Sequence, residues 1–122
     1  MRDGVSIAIH SDQFGFALLM TDSVSESHRI DASWADVKRI VAYKRDLFSV
    51  DLICMAVETS SRLIEMNEEM EGWEPLIEAL PTYLHGAKTK EEWWEIVVHP
   101  AFATNATTIY ESATGGLERI RK

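Results

Sequence analysis

Residues 50 to 58, Val-Asp-Leu-Ile-Cys-Met-Ala-Val-Glu, form the most apolar run in the chain and constrain its fold more than any other segment. From Leu52 to Val57 both alternate faces are apolar. A run this short reads as a strand, and a strand apolar on both faces belongs in the middle of a sheet. Thr59-Ser60-Ser61 is a turn signal, and residues 62 to 67 then alternate, with Leu63 opposed by Ile64 and Met66. The two runs predict a hairpin from 50 to 67. After it the period changes. Trp73, Leu76, Ile77, Leu80 and Leu84 fall on one face of a helix, with Pro75 in its first turn and Pro81 where it should end or kink. Thr89 with Glu92 makes a capping box that opens a second helix through Trp93, Trp94, Ile96, Val97 and Val98, and Pro100 stops it. Residues 107 to 110 read as a further short strand.

Upstream, residues 5 to 9 alternate like a half-buried strand, and residues 14 to 20 suit a buried one. Thr21 to His28 is polar and serine-rich, which reads as a loop. Residues 33 to 48 carry two patterns. Trp34, Val37, Ile40 and Val41 recur at helical spacing, with Ser33 and Asp36 as a cap. A strand instead places Ile40 and Ala42 inside and Arg39, Val41 and Tyr43 outside. The strand is preferred, because the segment runs through a turn at Phe48-Ser49 into the apolar run. Strands first and helices afterwards predict an α+β fold. It has an antiparallel sheet of about 4–6 strands in the N-terminal half and two C-terminal helices packed on one face or end. A length of 122 residues fits one domain, 1–122, with residues 115–122 behind Gly115-Gly116 expected as a mobile charged tail.

A formal charge of −8 argues against nucleic acid or an anionic membrane as partner. No window is apolar enough to span a bilayer, and the first ten residues lack a secretory pattern, so a cytoplasmic location is expected. There is no Cys-x-x-Cys, His-Glu-x-x-His, glycine-rich phosphate loop or Gly-x-Ser-x-Gly. No cofactor and no metal is therefore expected. His10, His28, His85 and His99 share no ligand spacing, and Cys54 reads as packing inside its strand.

Charge is not evenly spread. Residues 58 to 95 hold ten glutamates and three basic residues, so that segment carries −7 of the total. Glu65, Glu68, Glu69, Glu71 and Glu74 crowd its centre. Such a cluster is a solvated face or a docking face for a basic partner. Lys38, Arg39, Lys44 and Arg45 lie just upstream, balanced by Asp36 and Asp46, and could pair with it across strands. Trp34 and Trp73 fall on predicted core faces. Trp93 and Trp94 are adjacent, so one of them must leave the apolar stripe of its helix.

The run Trp34-x-Asp36-Val37-x-x-Ile40-x-Ala42-Tyr43-Lys44-Arg45-Asp46-Leu47, then Asp51-Leu52-Ile53-Cys54, resembles a family of small bacterial proteins of uncharacterised function. Glu68-Glu69-Met70-x-Gly72-Trp73 and the block from Pro100 to Tyr110 look like its other recurring segments, so the resemblance spans roughly residues 30 to 110. It implies membership but brings no chemistry. The element order is also similar to a pleckstrin-homology-like roll.

Three functions follow as expectations. The leading one is a non-enzymatic binding protein, of immunity or adaptor type. Its acidic face is Glu65, Glu68, Glu69, Glu71 and Glu74, anchored by Trp73 or Trp93 against a basic protein. The second is a small-ligand binder or enzyme with Lys44, Asp46 and Asp51 at the turn and His99 alongside. The third is a homodimer joined through the Trp93–Trp94 helix.

Overall fold

A computed structural model describes residues 6–22, 27–46, 50–99 and 106–112. Its elements are β1 (Ser6–Ser11), β2 (Gly15–Thr21), β3 (Ser27–Ser33), a 3-10 turn at Trp34–Asp36, and β4 (Val37–Asp46). There follow β5 (Asp51–Thr59), β6 (Leu63–Asn67), α1 (Trp73–Tyr83), α2 (Lys90–Val98) and β7 (Thr107–Glu111). The fold is α+β. Among the described residues, seven strands form two antiparallel sheets rather than one, ordered β1-β2-β3 and β6-β5-β4-β7.

The apolar run becomes β5, an inner strand between β6 and β4. Of the two readings of residues 33 to 48, the strand is the one the structure takes, from Val37 to Asp46. One turn of 3-10 helix buries Trp34, and the strand then runs from Val37 with Ile40 and Ala42 wholly enclosed. A register shift between Val37 and Arg39 lets Val37 face inward as well.

β3 starts at the end of the stretch read as a loop, overlapping it at Ser27 and His28, and runs on through Ser33. Its sequence, Ser-His-Arg-Ile-Asp-Ala-Ser, is polar because it is an edge strand, and only Ile30 and Ala32 turn toward the core. The turn at Phe48-Ser49, Pro100 and the tail 115–122 lie outside the described residues.

α1 buries Trp73, Leu76, Ile77 and Leu80, and Pro81 sits in its last turn. The Leu84 N–H donates to the Leu80 carbonyl at 2.8 Å to close it. α2 opens on the expected capping box, in which the Thr89 N–H donates to the Glu92 carboxylate at 2.7 Å. The entry to α1 is stitched to β1, where the Ile9 N–H donates to the Glu71 carbonyl at 2.7 Å. Gly72 makes that approach possible. Its φ is 90°, and a Cβ there would lie 2.0 Å from the Ile9 carbonyl oxygen. One core, from Ile9 and Phe16 through Ile40 and Met55 to Leu76 and Trp93, joins both sheets to both helices.

Candidate functional site: an apolar groove with an acidic border

The two sheets diverge beside β6 and leave a groove of about 340 Å³. Ile7 of β1, Leu18 and Met20 of β2 and Ile30 of β3 form one wall. Leu63 and Ile64 of β6 form the other, with Met70 between β6 and α1. Leu63 is 62% exposed, and Ile7, Met20, Ile30 and Met70 are half-buried. Arg62 and Glu65 stand at its rim. Glu69 and Glu71, both exposed, flank Met70 along the chain.

The five glutamates singled out in the sequence do different work. Glu69 and Glu71 extend free carboxylate area beside Met70, although the backbone of Glu71 is tied to Ile9. Glu65 accepts a hydrogen bond from the Tyr43 hydroxyl at 3.2 Å and lies 4.0 Å from the Arg45 guanidinium. Glu68 turns inward and accepts the Ile53 N–H at 3.0 Å, which prolongs the β5–β6 ladder with a side chain. Glu74 pairs with Lys90 at 3.2 Å, linking the two helices. The cross-strand pairing with the basic stretch is present in Arg39–Glu58 at 3.7 Å and in Arg45–Glu65.

The tryptophan anchors are corrected. Trp73 is 3% exposed and Trp93 is 0% exposed, so neither indole reaches a partner. Both are core side chains whose ring N–H groups have no hydrogen-bond partner among the described residues. The tryptophan that leaves the α2 stripe is Trp94, which is half-buried and carries Lys90 4.5 Å above its ring. A dimer face on α2 therefore loses Trp93.

Of the second set, Lys44 and Asp51 come together at 3.5 Å. Lys44 is 2% exposed and donates to the Val98 carbonyl at 2.5 Å, at the C-terminal end of α2. This is a cation on the negative end of a helix dipole, and its stem fills core space. His99 points elsewhere, exposed and 3.5 Å from Glu95. The Asp46 side chain lies outside the described residues.

Tyr43, Arg45 and Glu65 have a further consequence. Cys54 stands opposite Tyr43 in the sheet and so shares its outward face, yet it is 2% exposed. Tyr43, Arg45 and Glu65 are its polar and charged neighbours there. Burial pushes the Cys54 thiol upward from its ordinary pKa, and burial together with the neighbouring Cys54 and Glu65 raises the Tyr43 phenol. The thiol is a packed group and not a nucleophile.

A second depression, of about 530 Å³, is lined by Trp34, Asp36, Lys38, Tyr83, His85 and Tyr110. Tyr83 stacks over Trp34 at 5.7 Å, and Asp36 already accepts from the Ser60 hydroxyl at 2.6 Å. Its aromatic face and its carboxylate are therefore engaged within the protein. No cluster of three or more metal-ligating side chains exists among the described residues. Among the described residues no helix is long and apolar enough to cross a membrane. Comparison with family models, curated proteins and solved structures finds no match.

Sequence reasoning placed Glu65, Glu69 and Glu71 but missed the apolar side of the groove. The alternation that turns Ile64 inward had already turned Leu63 out, and an exposed leucine on a short strand was the one signal available.

Proposed function

We propose that this protein is a non-enzymatic binding module, of immunity or adaptor type, that captures a basic and partly apolar segment of another protein. The observation that carries the reading is the groove of Ile7, Leu18, Met20, Ile30, Leu63 and Met70, with Glu65 at its rim and the exposed Glu69 and Glu71 on either side of Met70 in the chain. The apolar floor supplies affinity. The acidic border selects a basic partner, rejects an acidic one and speeds encounter. A net charge of −8 acts in the same direction at longer range.

The test is fluorescence anisotropy with two labelled synthetic peptides of the same apolar residues, one interleaved with lysine and one with glutamate. The lysine peptide binds, its affinity falls with added salt, and Glu69→Lys with Glu71→Lys weakens it by roughly tenfold. Glu68 is left alone in that variant because it holds the Ile53 N–H. Equal binding of the two peptides, or a charge reversal without effect, removes the reading.

A further inference from the structure

The groove has a strand edge along one side, and the hydrogen-bond phase of that edge can be worked out. The Thr59 N–H donates to the Arg62 carbonyl at 2.9 Å, and the Glu68 N–H donates to the Ile53 carbonyl at 3.0 Å. Between these two fixed points β5 and β6 pair in a single register, with Val57 opposite Ile64 and Met55 opposite Met66. Backbone groups on an antiparallel strand alternate in direction. Residues 62, 64, 66 and 68 therefore turn their N–H and C=O groups toward β5. Leu63, Glu65 and Asn67 turn theirs away. The Asn67 carbonyl is taken by the Met70 N–H at 3.2 Å. Among the described residues, the outward backbone groups of Leu63 and Glu65 have no partner and β6 has no strand neighbour on that side.

We infer that β6 is a strand-addition site: an extended segment of a partner protein pairs with Leu63 and Glu65 and lays alternate side chains into the groove. This rests on the proposed function and specifies how the partner is held. The chemistry of the occupant follows from the faces of β6. Ile64 and Met66 point to the core, and Leu63 and Glu65 point outward. Side chains directly opposite one another on paired strands share a face. The added strand thus places apolar residues level with Ile64 and Met66, on the side of the core, and basic residues level with Glu65 and Leu63, where one head group meets the carboxylate and the aliphatic stem of the other covers the exposed leucine. It is an alternating apolar–basic strand.

A second copy of the chain is the competing occupant, and charge argues against it. The antiparallel register that pairs all of Leu63–Asn67 with its own copy sets Glu65 directly opposite Glu65. Like charges at directly opposed positions destabilise a ladder. Glu69 and Glu71 a few residues further along the chain add to the repulsion, which Arg62 at the groove and Arg45, 4.0 Å from Glu65, offset only in part. An edge that repels itself and keeps apolar area beside it suits a basic strand from elsewhere.

The experiment uses the full-length protein and the lysine–valine peptide in three forms: unmodified, N-methylated at the lysines, and N-methylated at the valines. Charge and apolar content are the same in all three. An antiparallel added strand turns its lysine N–H groups to β6, so methylation there weakens binding roughly tenfold or more, and methylation at the valines does not. The reverse asymmetry reports a parallel added strand and supports the site equally. Equal affinities for all three forms overturn strand addition while leaving the acidic groove reading standing. Binding by none of them removes both. A dimer in light scattering that Glu65→Lys abolishes, and that excludes the unmodified peptide, assigns the edge to a second copy and overturns the proposal.

Discussion

Replacing Lys44 with methionine tests the account of the most enclosed charge among the described residues. The stem of Lys44 follows Ile40 and Ala42 along the inward face of β4, and methionine fills nearly the same space. What is lost is the ammonium. It donates to the Val98 carbonyl at 2.5 Å and lies 3.5 Å from Asp51, whose side chain is 18% exposed. A hydrogen bond from a charged donor contributes about 1.5–3 kcal/mol. Removing one member of an enclosed ion pair also leaves the other charge in poor solvation, up to about 3–5 kcal/mol for a fully buried pair. Methionine needs no desolvation of its own, which offsets part of this. We therefore expect Lys44→Met to cost about 3 kcal/mol. For a chain of this size that is a fall in Tm of roughly 12 °C. Asp51→Asn in the same background should recover about 1 kcal/mol or more, because it removes the negative charge that Lys44 had faced. Urea titrations of the wild type, both single variants and the double variant complete the cycle. A Lys44→Met protein within about 0.5 kcal/mol of wild type, or a double variant whose costs simply add, would show that the ammonium does not brace the end of α2.

Three further outcomes are expected. Gly72→Ala puts a Cβ against the Ile9 carbonyl at a left-handed position, so urea denaturation should show a loss of about 2–4 kcal/mol, and amide exchange at Ile9 should speed up. Trp93→Ala should cost about 3–5 kcal/mol in the same assay and Trp94→Ala about 1 kcal/mol or less, since the first ring is wholly enclosed and the second is half-buried. Cys54 and Tyr43 both have raised pKa values when folded, so the unfolded chain gives up those protons first. Their contribution is complete below the unfolded thiol value and is lost as pH climbs through that value and the phenol's, which makes Tm fall on the alkaline side. Cys54→Ala should flatten the first part of that fall, and an unchanged alkaline profile would show that the burial of the thiol does not act on its titration.

Local pattern was enough for much of the fold, and the reasons for its failures are physical. The β5–β6 hairpin, both helices and the Thr89–Glu92 cap follow from periodicity and end signals within a few residues. β3 escaped because an edge strand with one wall on the core needs only Ile30 and Ala32 to be apolar, and two residues make no visible period. Trp93 was offered to a partner because two adjacent tryptophans cannot share one stripe. The helical wheel alone does not say which of them the sheet covers, and α2 resolves it by turning Trp93 and Val97 inward together. Lys44 hid in a different way. The alternation that buries Ile40 and Ala42 also buries Lys44, and a charge there makes sense only once α2 ends above it.

The free edge is the hardest case, because no property of β6 itself determines it. Alternation fixes which side chains of Leu-Ile-Glu-Met-Asn face the core. It does not fix whether another strand lies beyond. That depends on β7, which returns after both helices and pairs with β4 at the far side of the sheet. Had β7 joined β6 instead, Glu65 would sit inside a ladder and the groove beside Leu63 would be closed. The position of the last strand therefore decides what the acidic segment can do. Loosening the hold on β7 gives a test in which peptide affinity at β6 is the reporter. Ile109, 2% exposed, is the side chain that pins β7 to the core. Ile109→Ala should cost about 2–4 kcal/mol of stability while leaving peptide affinity at β6 unchanged below the shifted melting point. A loss of affinity in the folded variant would mean that the edge and the far strand are coupled, and the edge could not then be treated as an independent site.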